Sequence, residues 1–253
     1  MAWTRTYDEA EPQRVNKWLA QSGVCSRREA EALIGQGLVT IDGEVVEDAG
    51  RKILPGQTLV LNDGATAQLG AAMTVMIHKP IGIVSSQPEG EQIPAVRLLT
   101  RAAQFDQPGP VPGRDSKLAP VGRLDMDSRG LLILSEDGVV AKAVIGPEST
   151  LEKEYRVRVR GELTREKIDW LRHGLELDGR KLKRAVVDRL GQETLRFVLT
   201  EGRNRQIRRM CYLVELDVID LFRHRVGPIE LGDLPEGRWR PLTAAEREAL
   251  IRG

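Results

Sequence analysis

An α+β protein with a largely antiparallel main sheet, preceded by a small helix–helix–hairpin module, is the fold class the sequence predicts. Three observations predict it. Residues 14–61 hold two short helical patterns followed at once by a hairpin signal. Residues 62–72, "NDGATAQLGAA", are small and polar and read as a linker. From Met73 onward, through residue 253, strand and helix patterns mix without the regular strand–helix–strand repeat of a parallel sheet.

Each element follows from local chemistry. Residues 1–13 read as a flexible tail. "RVNKWLAQSG" sets Val15, Trp18 and Leu19 at helical spacing, and Gly23 stops the pattern. "SRREAEALIGQG" opens with a capping box, Ser26 with Glu29 three residues on. "LVTIDGEVV" is two β-prone runs around Asp42-Gly43, a hairpin signal, and "KILPGQTLVL" adds a strand. In the larger part, "MTVMIHKP" is a strand that must end near Pro80. "AQFDQPGPVPGRDS" is Pro- and Gly-rich and reads as a mobile excursion. "LLILS" is a buried strand, and "VVAKAVIG" a short helix. "YRVRVRG" alternates, with Tyr155, Val157 and Val159 on one face and arginines on the other. "LTREKIDWLRHG" is an amphipathic helix closed by Gly174, and "LRFVLTEG" a strand. "NRQIRRMCYLVE" is a helix with Asn204 as N-cap, and "VIDLFRHRVGPIEL" is rich in strand. "TAAEREALI" ends the chain on a second capping box, Thr243 to Glu246.

Composition excludes several classes. Of 253 residues, 41% are hydrophobic and 30% charged, the balance of a globular protein. No apolar stretch nears the roughly 20 residues that span a bilayer, so no membrane partner is expected. The N-terminus lacks the apolar core of a secretory signal. The two cysteines, Cys25 and Cys211, lie far apart, and the three histidines are scattered, so neither a disulfide framework nor a metal site is expected. Cytoplasmic localisation and a monomer are the simplest expectations. A net charge of +1 favours no partner by itself, but Lys and Arg bunch at "RVNKW", "SRR", "EKEYRVRVR", "EGRNRQIRRM" and "FRHR". Segregated basic patches bind a polyanion through the local field, although any single charge run is more often a solvated face.

There is no phosphate loop of the GxxxxGK[ST] type and no GxGxxG after a strand, which argues against nucleotide or dinucleotide cofactors. No serine has a nucleophile-elbow context, and Cys211 follows Ile207 and Met210 on the apolar side of its helix, as core. Carboxylates, arginines and one tyrosine remain. In "GRLDMDSRGLLILSEDG", Asp125 and Asp127 stand two residues apart before the apolar run. Asp127 reads as turn chemistry, whereas composition does not decide the role of Asp125. Arg205, Arg208, Arg209 and Tyr212 form a polar stripe opposite Ile207, Met210, Cys211 and Val214, from which an arginine could hold an enclosed aspartate ionised. Tyr155 shares a face with two valines and should be buried, which by default means core packing.

The two helix starts of residues 14–61 carry Arg14, Lys17, Arg27 and Arg28. With the hairpin they resemble the S4 RNA-binding domain, and those four cations would then meet phosphates. "PVGRLDMDSRGLLILSEDG", "LEKEYRVRV" and "LTEGRNRQIRRM", in that order after "HKPIGIV", resemble the pseudouridine synthases of the RsuA/RluB/RluE/RluF group, the RluF type above all. The similarity spans nearly all of residues 14–250. It implies a pseudouridine synthase catalytic domain that isomerises a uridine already in ribosomal RNA, in the large subunit, without a cofactor. It implies Asp125 as the catalytic aspartate, Tyr155 as the aromatic stacked on the target base and Arg208 as the arginine paired with the aspartate. Arg123 would position the target nucleotide, and Leu221 would be the apolar contact to the base. Lys79, Arg203 and Arg205 would join the RNA-binding cations. The Pro/Gly-rich stretch 101–118 is longer than the usual spacing before "GRLD", which implies an insertion that affects substrate choice. The alternatives are a non-catalytic RNA-binding ribosome-assembly factor retaining the fold, or a synthase acting on small-subunit ribosomal RNA or tRNA. A glycosidase would need a second carboxylate of the right placement, which the sequence does not offer.

Overall fold

The computed structural model describes residues 2–106, 109–113 and 115–253. The chain divides into two compact units. One is the chain up to Met73 together with Ser135–Lys142, and the other is Thr74–Leu134 with Ala143–Gly253.

In the first unit, helices Val15–Gln21 and Arg27–Gly35 pack against a sheet ordered Trp3–Thr6, Thr58–Leu61, Val39–Ile41, Glu44–Val45. The second helix begins with the expected reciprocal box: Glu29 N–H donates to Ser26 Oγ, and Ser26 N–H to the Glu29 carboxylate. The hairpin closes on Asp42 and Gly43, both at positive φ (+50° and +88°), with Ile41 opposite Glu44. Asp-Gly is favoured there because both central residues of such a turn need the left-handed region. Two expectations are corrected. The expected tail, residues 1–13, contains the strand Trp3–Thr6, paired antiparallel with Thr58–Leu61. A small domain needs every large apolar side chain it can bury, and this segment supplies two. Tyr7 is fully buried edge-on to Trp18 at 5.3 Å between ring centres, and Trp3 lies 6.1 Å from Trp18. The expected linker, 62–72, contains the helix Asp63–Gly70, capped by the Asn62 side chain on Ala65 N–H at 2.9 Å. Its small residues include alanine, the best helix former, and Ala65 is buried.

In the second unit, the main sheet runs Val186–Arg189, Thr194–Leu199, Lys153–Arg160, Asp217–Val226, Arg129–Ser135, Thr74–Lys79, Trp239–Pro241. Lys153–Arg160 is antiparallel to both of its neighbours, while Arg129–Ser135 joins Asp217–Val226 in parallel. The two strands "TVMIHK" and "LLILS" are buried along their length, as central strands must be. At the edge of this core Val157 and Val159 are buried while Arg156, Arg158 and Arg160 are exposed, as the alternation predicts. Helices Arg165–Arg172 and Gln206–Leu213 cover the same apolar face. The Pro/Gly-rich stretch begins in order. Trp239 Nε1–H donates to Thr100 O at 2.8 Å, and Phe105 N–H to Trp239 O at 2.9 Å. Gln107, Pro108 and Arg114 of the expected excursion lie outside the described residues.

A bulge between Glu154 and Tyr155 separates two functions on one strand. Glu154 is buried and accepts from Arg196 Nε–H at 2.6 Å and Arg225 Nη2–H at 2.8 Å. The bond to Arg196, followed by that to Arg225, outweighs burial and pulls the carboxyl down to about 2. A depressed carboxylate contributes stability above its ordinary value of 4.5, and that contribution is lost as pH falls from there toward 2. Glu154→Gln is therefore expected to cost about 2–3 kcal/mol at neutral pH and to flatten the loss of stability between pH 4.5 and 2. Urea unfolding as a function of pH reads both effects.

Candidate active site

The loop before Arg129–Ser135 is fixed from both sides of Asp125. Ser85 Oγ donates to Leu124 O at 2.6 Å and accepts from Leu124 N–H at 2.9 Å. Ser128 N–H then closes a turn onto Asp125 O at 3.1 Å. The backbone holding Asp125 is thereby immobilised without use of its carboxylate. That side chain, 30% exposed, lines a cleft of about 710 Å³. Tyr155 and Leu221 line the same cleft, Tyr155 half-buried and Leu221 buried. These two sit on adjacent strands of the sheet and give the cleft that holds Asp125 an apolar floor. Tyr155 is thus less buried than its alternation with Val157 and Val159 predicts. The bulge before it and the cleft above it leave part of its surface open.

The arginines distribute differently from the expectation. Arg205 Nη1 lies 3.6 Å from Asp125 Oδ2, and the same guanidinium donates to both Asp127 oxygens at 3.1 and 2.8 Å. Arg208, expected to pair with Asp125, instead donates to Asp127 O at 2.7 Å, Ser128 Oγ at 3.3 Å and Val218 O at 3.2 Å. Its Nε is 3.3 Å from Asp127 Oδ2. Arg208 fastens the turn that carries Asp125 to the neighbouring strand, and Arg205 is the cation beside the carboxylate. The reason is backbone geometry. Arg205, not Asn204, occupies the N-cap of helix Gln206–Leu213, at a left-handed φ of +49°, and no side chain caps it. Asp127 is likewise more than a turn residue. Burial raises its pKa, but the bond to Arg205 and the charges of Arg208 and Arg205 prevail and hold it below the ordinary aspartate value.

Lys79 is also relocated. It is fully buried and donates to Pro80 O at 2.8 Å and Ile83 O at 2.7 Å, so it cannot meet RNA at the surface. Pro80 and Gly82, the latter at φ +86°, curl the chain around the ammonium. Burial lowers its pKa to about 8, against the opposing pull of Asp125 and Asp127. Arg123 is exposed at the cleft, and its side chain has no partner among the described residues. Arg203 lines the cleft, yet its guanidinium donates to Leu177 O, Arg180 O and Lys181 O. Three cations of the cleft, Lys183 among them, are not singled out by the sequence. Arg223, buried, donates to Leu131 O at 2.8 Å and Arg123 O at 3.3 Å, and Lys153 donates to Val144 O at 3.3 Å. Both line the cleft. Only the "EKEY" and "FRHR" runs hinted at them. The cleft is therefore rich in cations around Asp125, Glu201 and an apolar floor, which suits an anionic polymer presenting a flat base.

Both cysteines are buried, and burial pushes each thiol up to about 12, so neither is a poised nucleophile. Among the described residues no group of three or more His, Cys, Asp or Glu side chains is placed to hold a metal ion, and no helix is long and apolar enough to cross a membrane. In the first unit Arg14, Arg27 and Arg28 are exposed and Lys17 half-buried, at the starts of the two helices.

Comparison with known proteins agrees with this chemistry. Residues 73–212 match the RNA pseudouridylate synthase family, and residues 13–59 match the S4 domain. The dual-specificity RNA pseudouridine synthase RluF of Escherichia coli (strain K12) is 34% identical over 241 residues, covering 94% of this chain and 78% of that protein. An uncharacterized RNA pseudouridine synthase of Aquifex aeolicus is 32% identical over 240 residues, covering 94% of this chain and 96% of that one. A crystal structure of a pseudouridylate synthase superposes with a TM-score of 0.64 at 27% identity, covering 94% of this chain and 99% of that one. An S4 domain followed by a mixed, mostly antiparallel catalytic domain of this kind makes the chain a member of the RNA pseudouridylate synthases, enzymes that act on RNA.

Proposed function

We propose that the protein isomerises one uridine of large-subunit ribosomal RNA to pseudouridine, with Asp125 as the catalytic carboxylate. The observation that carries this reading is the Asp125 carboxylate beside Tyr155 and Leu221 in a cleft rich in cations, where the other carboxylate, Glu201, is tied to Lys183 N–H, Gln206 and Arg203. The reaction breaks the N1–C1′ bond, turns the uracil and joins C5 to C1′, and the C5 proton leaves to solvent while N1 takes up a proton. Atoms and electrons balance within the substrate, and one ionised carboxylate suffices, attacking C1′ or removing the C2′ proton. Arg205 places a guanidinium 3.6 Å from the Asp125 carboxylate. Tyr155 stacks on the base, and Leu221 packs against it, so that the detached uracil stays in place between the two bond-making steps. Arg208, which lines the cleft, positions the Asp125 turn through the Asp127 carbonyl.

The base must leave its stack to reach this floor, at a cost on the order of a few kcal/mol. Phosphate contacts offset that cost: Arg123 at the cleft, and Arg14, Lys17, Arg27 and Arg28 on the S4 domain. The test is a map of pseudouridines by carbodiimide-block primer extension in ribosomal RNA from cells lacking the gene and from the same cells complemented. One large-subunit stop should vanish and return. An unchanged large-subunit map, or a loss confined to small-subunit RNA or tRNA, overturns the substrate assignment.

A further inference from the structure

The segment "DGRKLKR", residues 178–184, belongs to none of the family-like motifs, yet it is held beside the cleft by residues of one that does. Strands Glu176–Leu177 and Arg180–Lys181 form a hairpin that turns on Asp178 and Gly179, at φ +55° and +71°. A two-stranded ribbon this short does not hold itself together in water. Here arginines flanking and within the helix Gln206–Leu213 hold it. Arg209 grips both carboxylate oxygens of Asp178 at 2.9 and 2.6 Å, and Arg203 reaches the carbonyls of Leu177, Arg180 and Lys181 at 3.1, 3.2 and 2.8 Å. Glu201 accepts from Lys183 N–H at 2.9 Å.

Every one of these ties ends on backbone or on Asp178. The side chains of Arg180, Lys181, Lys183 and Arg184 are exposed and have no partner among the described residues. Asp178, the acid within the run, is neutralised by Arg209, so the hairpin presents net positive charge. Lys183 lines the cleft that holds Asp125, and Arg203, which secures the hairpin, lines it too. The hairpin is thus fixed to the same short segment that places Arg205 beside Asp125.

We propose that this hairpin is an RNA-backbone clamp that takes the phosphates of nucleotides flanking the target uridine. Four free cations held in one frame next to a cationic cleft match a polyanion. Ties made through backbone keep the cations at a fixed distance from the reacting carboxylate. The inference rests on the reading of the cleft as the site that receives a uridine of ribosomal RNA, and it can fail separately from it.

The test is filter binding of the full-length protein to protein-free 23S ribosomal RNA across a range of salt. It compares wild type with the variant carrying Arg180→Gln, Lys181→Gln, Lys183→Gln and Arg184→Gln. The variant should bind about tenfold or more weakly near physiological salt, and its slope of log affinity against log salt should be shallower by about 3, one phosphate per cation. A second variant, Asp178→Asn, keeps all four cations but loosens the frame. Its salt slope should stay near that of wild type while single-turnover tritium release from RNA labelled at uridine C5 slows at limiting RNA. Unchanged affinity and slope in the fourfold variant would overturn the clamp and leave those side chains as solvated surface. Because binding is read whether or not the RNA is modified, a wild type that binds with the steep slope but releases no tritium would sink the substrate reading and leave the clamp standing.

Discussion

Asp125→Asn should lower pseudouridine formation by roughly 10³-fold or more, the scale of removing a base or nucleophile rather than a binding contact. Tritium release from RNA labelled at uridine C5 measures it in a single turnover. The substitution is close to a pure change of charge. The loop is held through the Leu124 amide and carbonyl and through the Asp125 carbonyl, none of which the side chain supplies. Arg205 is not left unpaired either, because Asp127 keeps both of its short bonds to that guanidinium. Stability should therefore stay within about 1 kcal/mol of wild type. The salt dependence of RNA binding, set by cations elsewhere, should not weaken. Equal tritium release by the two proteins would remove Asp125 from the chemistry altogether.

What the sequence made legible was the chemistry that neighbours in the chain decide. The Ser26–Glu29 and Thr243–Glu246 boxes, the Asp42-Gly43 hairpin and the alternation of Val157 and Val159 with arginines all depend on spacings of a few residues, and all are present. The pairing of Asp125 with an arginine was not legible at the level of which arginine. It turns on a left-handed φ at Arg205 and on Asp127, 78 residues away, neither of which leaves a local signature. Lys79 looks in sequence like any surface lysine before a proline. Only the turn through Pro80 and Gly82 buries it. Trp3–Thr6 and Asp63–Gly70 were hidden for the opposite reason, because composition alone described them as tail and linker. The strand needs a partner at Thr58–Leu61, and half of the helix is alanine and glycine, which resembles a spacer. The hairpin 176–181 has no local signal because its anchors lie elsewhere: Arg203 reads as a nucleic-acid contact and Arg209 as part of a polar helix stripe until their partners are visible.

Gly130→Ala should be among the most destabilising single methyl additions in the protein, by about 3 kcal/mol or more, with loss of activity as a consequence. Gly130 sits at φ +112°, where an L side chain is strained whatever the space. Space is lacking as well. A Cβ there would lie 2.2 Å from Arg223 O and 2.8 Å from Arg223 N, atoms of backbone that cannot rotate away. The pair Gly130–Arg223 is the parallel register through which Arg129–Ser135 joins Asp217–Val226. Relief would have to come from separating these strands. That would loosen the bonds from Arg223 to Leu131 O and Arg123 O, and with them the Arg123–Ser128 turn and the Leu221 floor. Gly35→Ala is the matched control, since that glycine ends a helix at ordinary φ with nothing within 4 Å of the added carbon, and it should leave stability unchanged or slightly higher. Urea midpoints of the two variants read the difference directly. A Gly130→Ala midpoint equal to wild type would mean that the two strands do not meet this closely in solution, and the support assigned to Asp125 from below would have to be sought elsewhere.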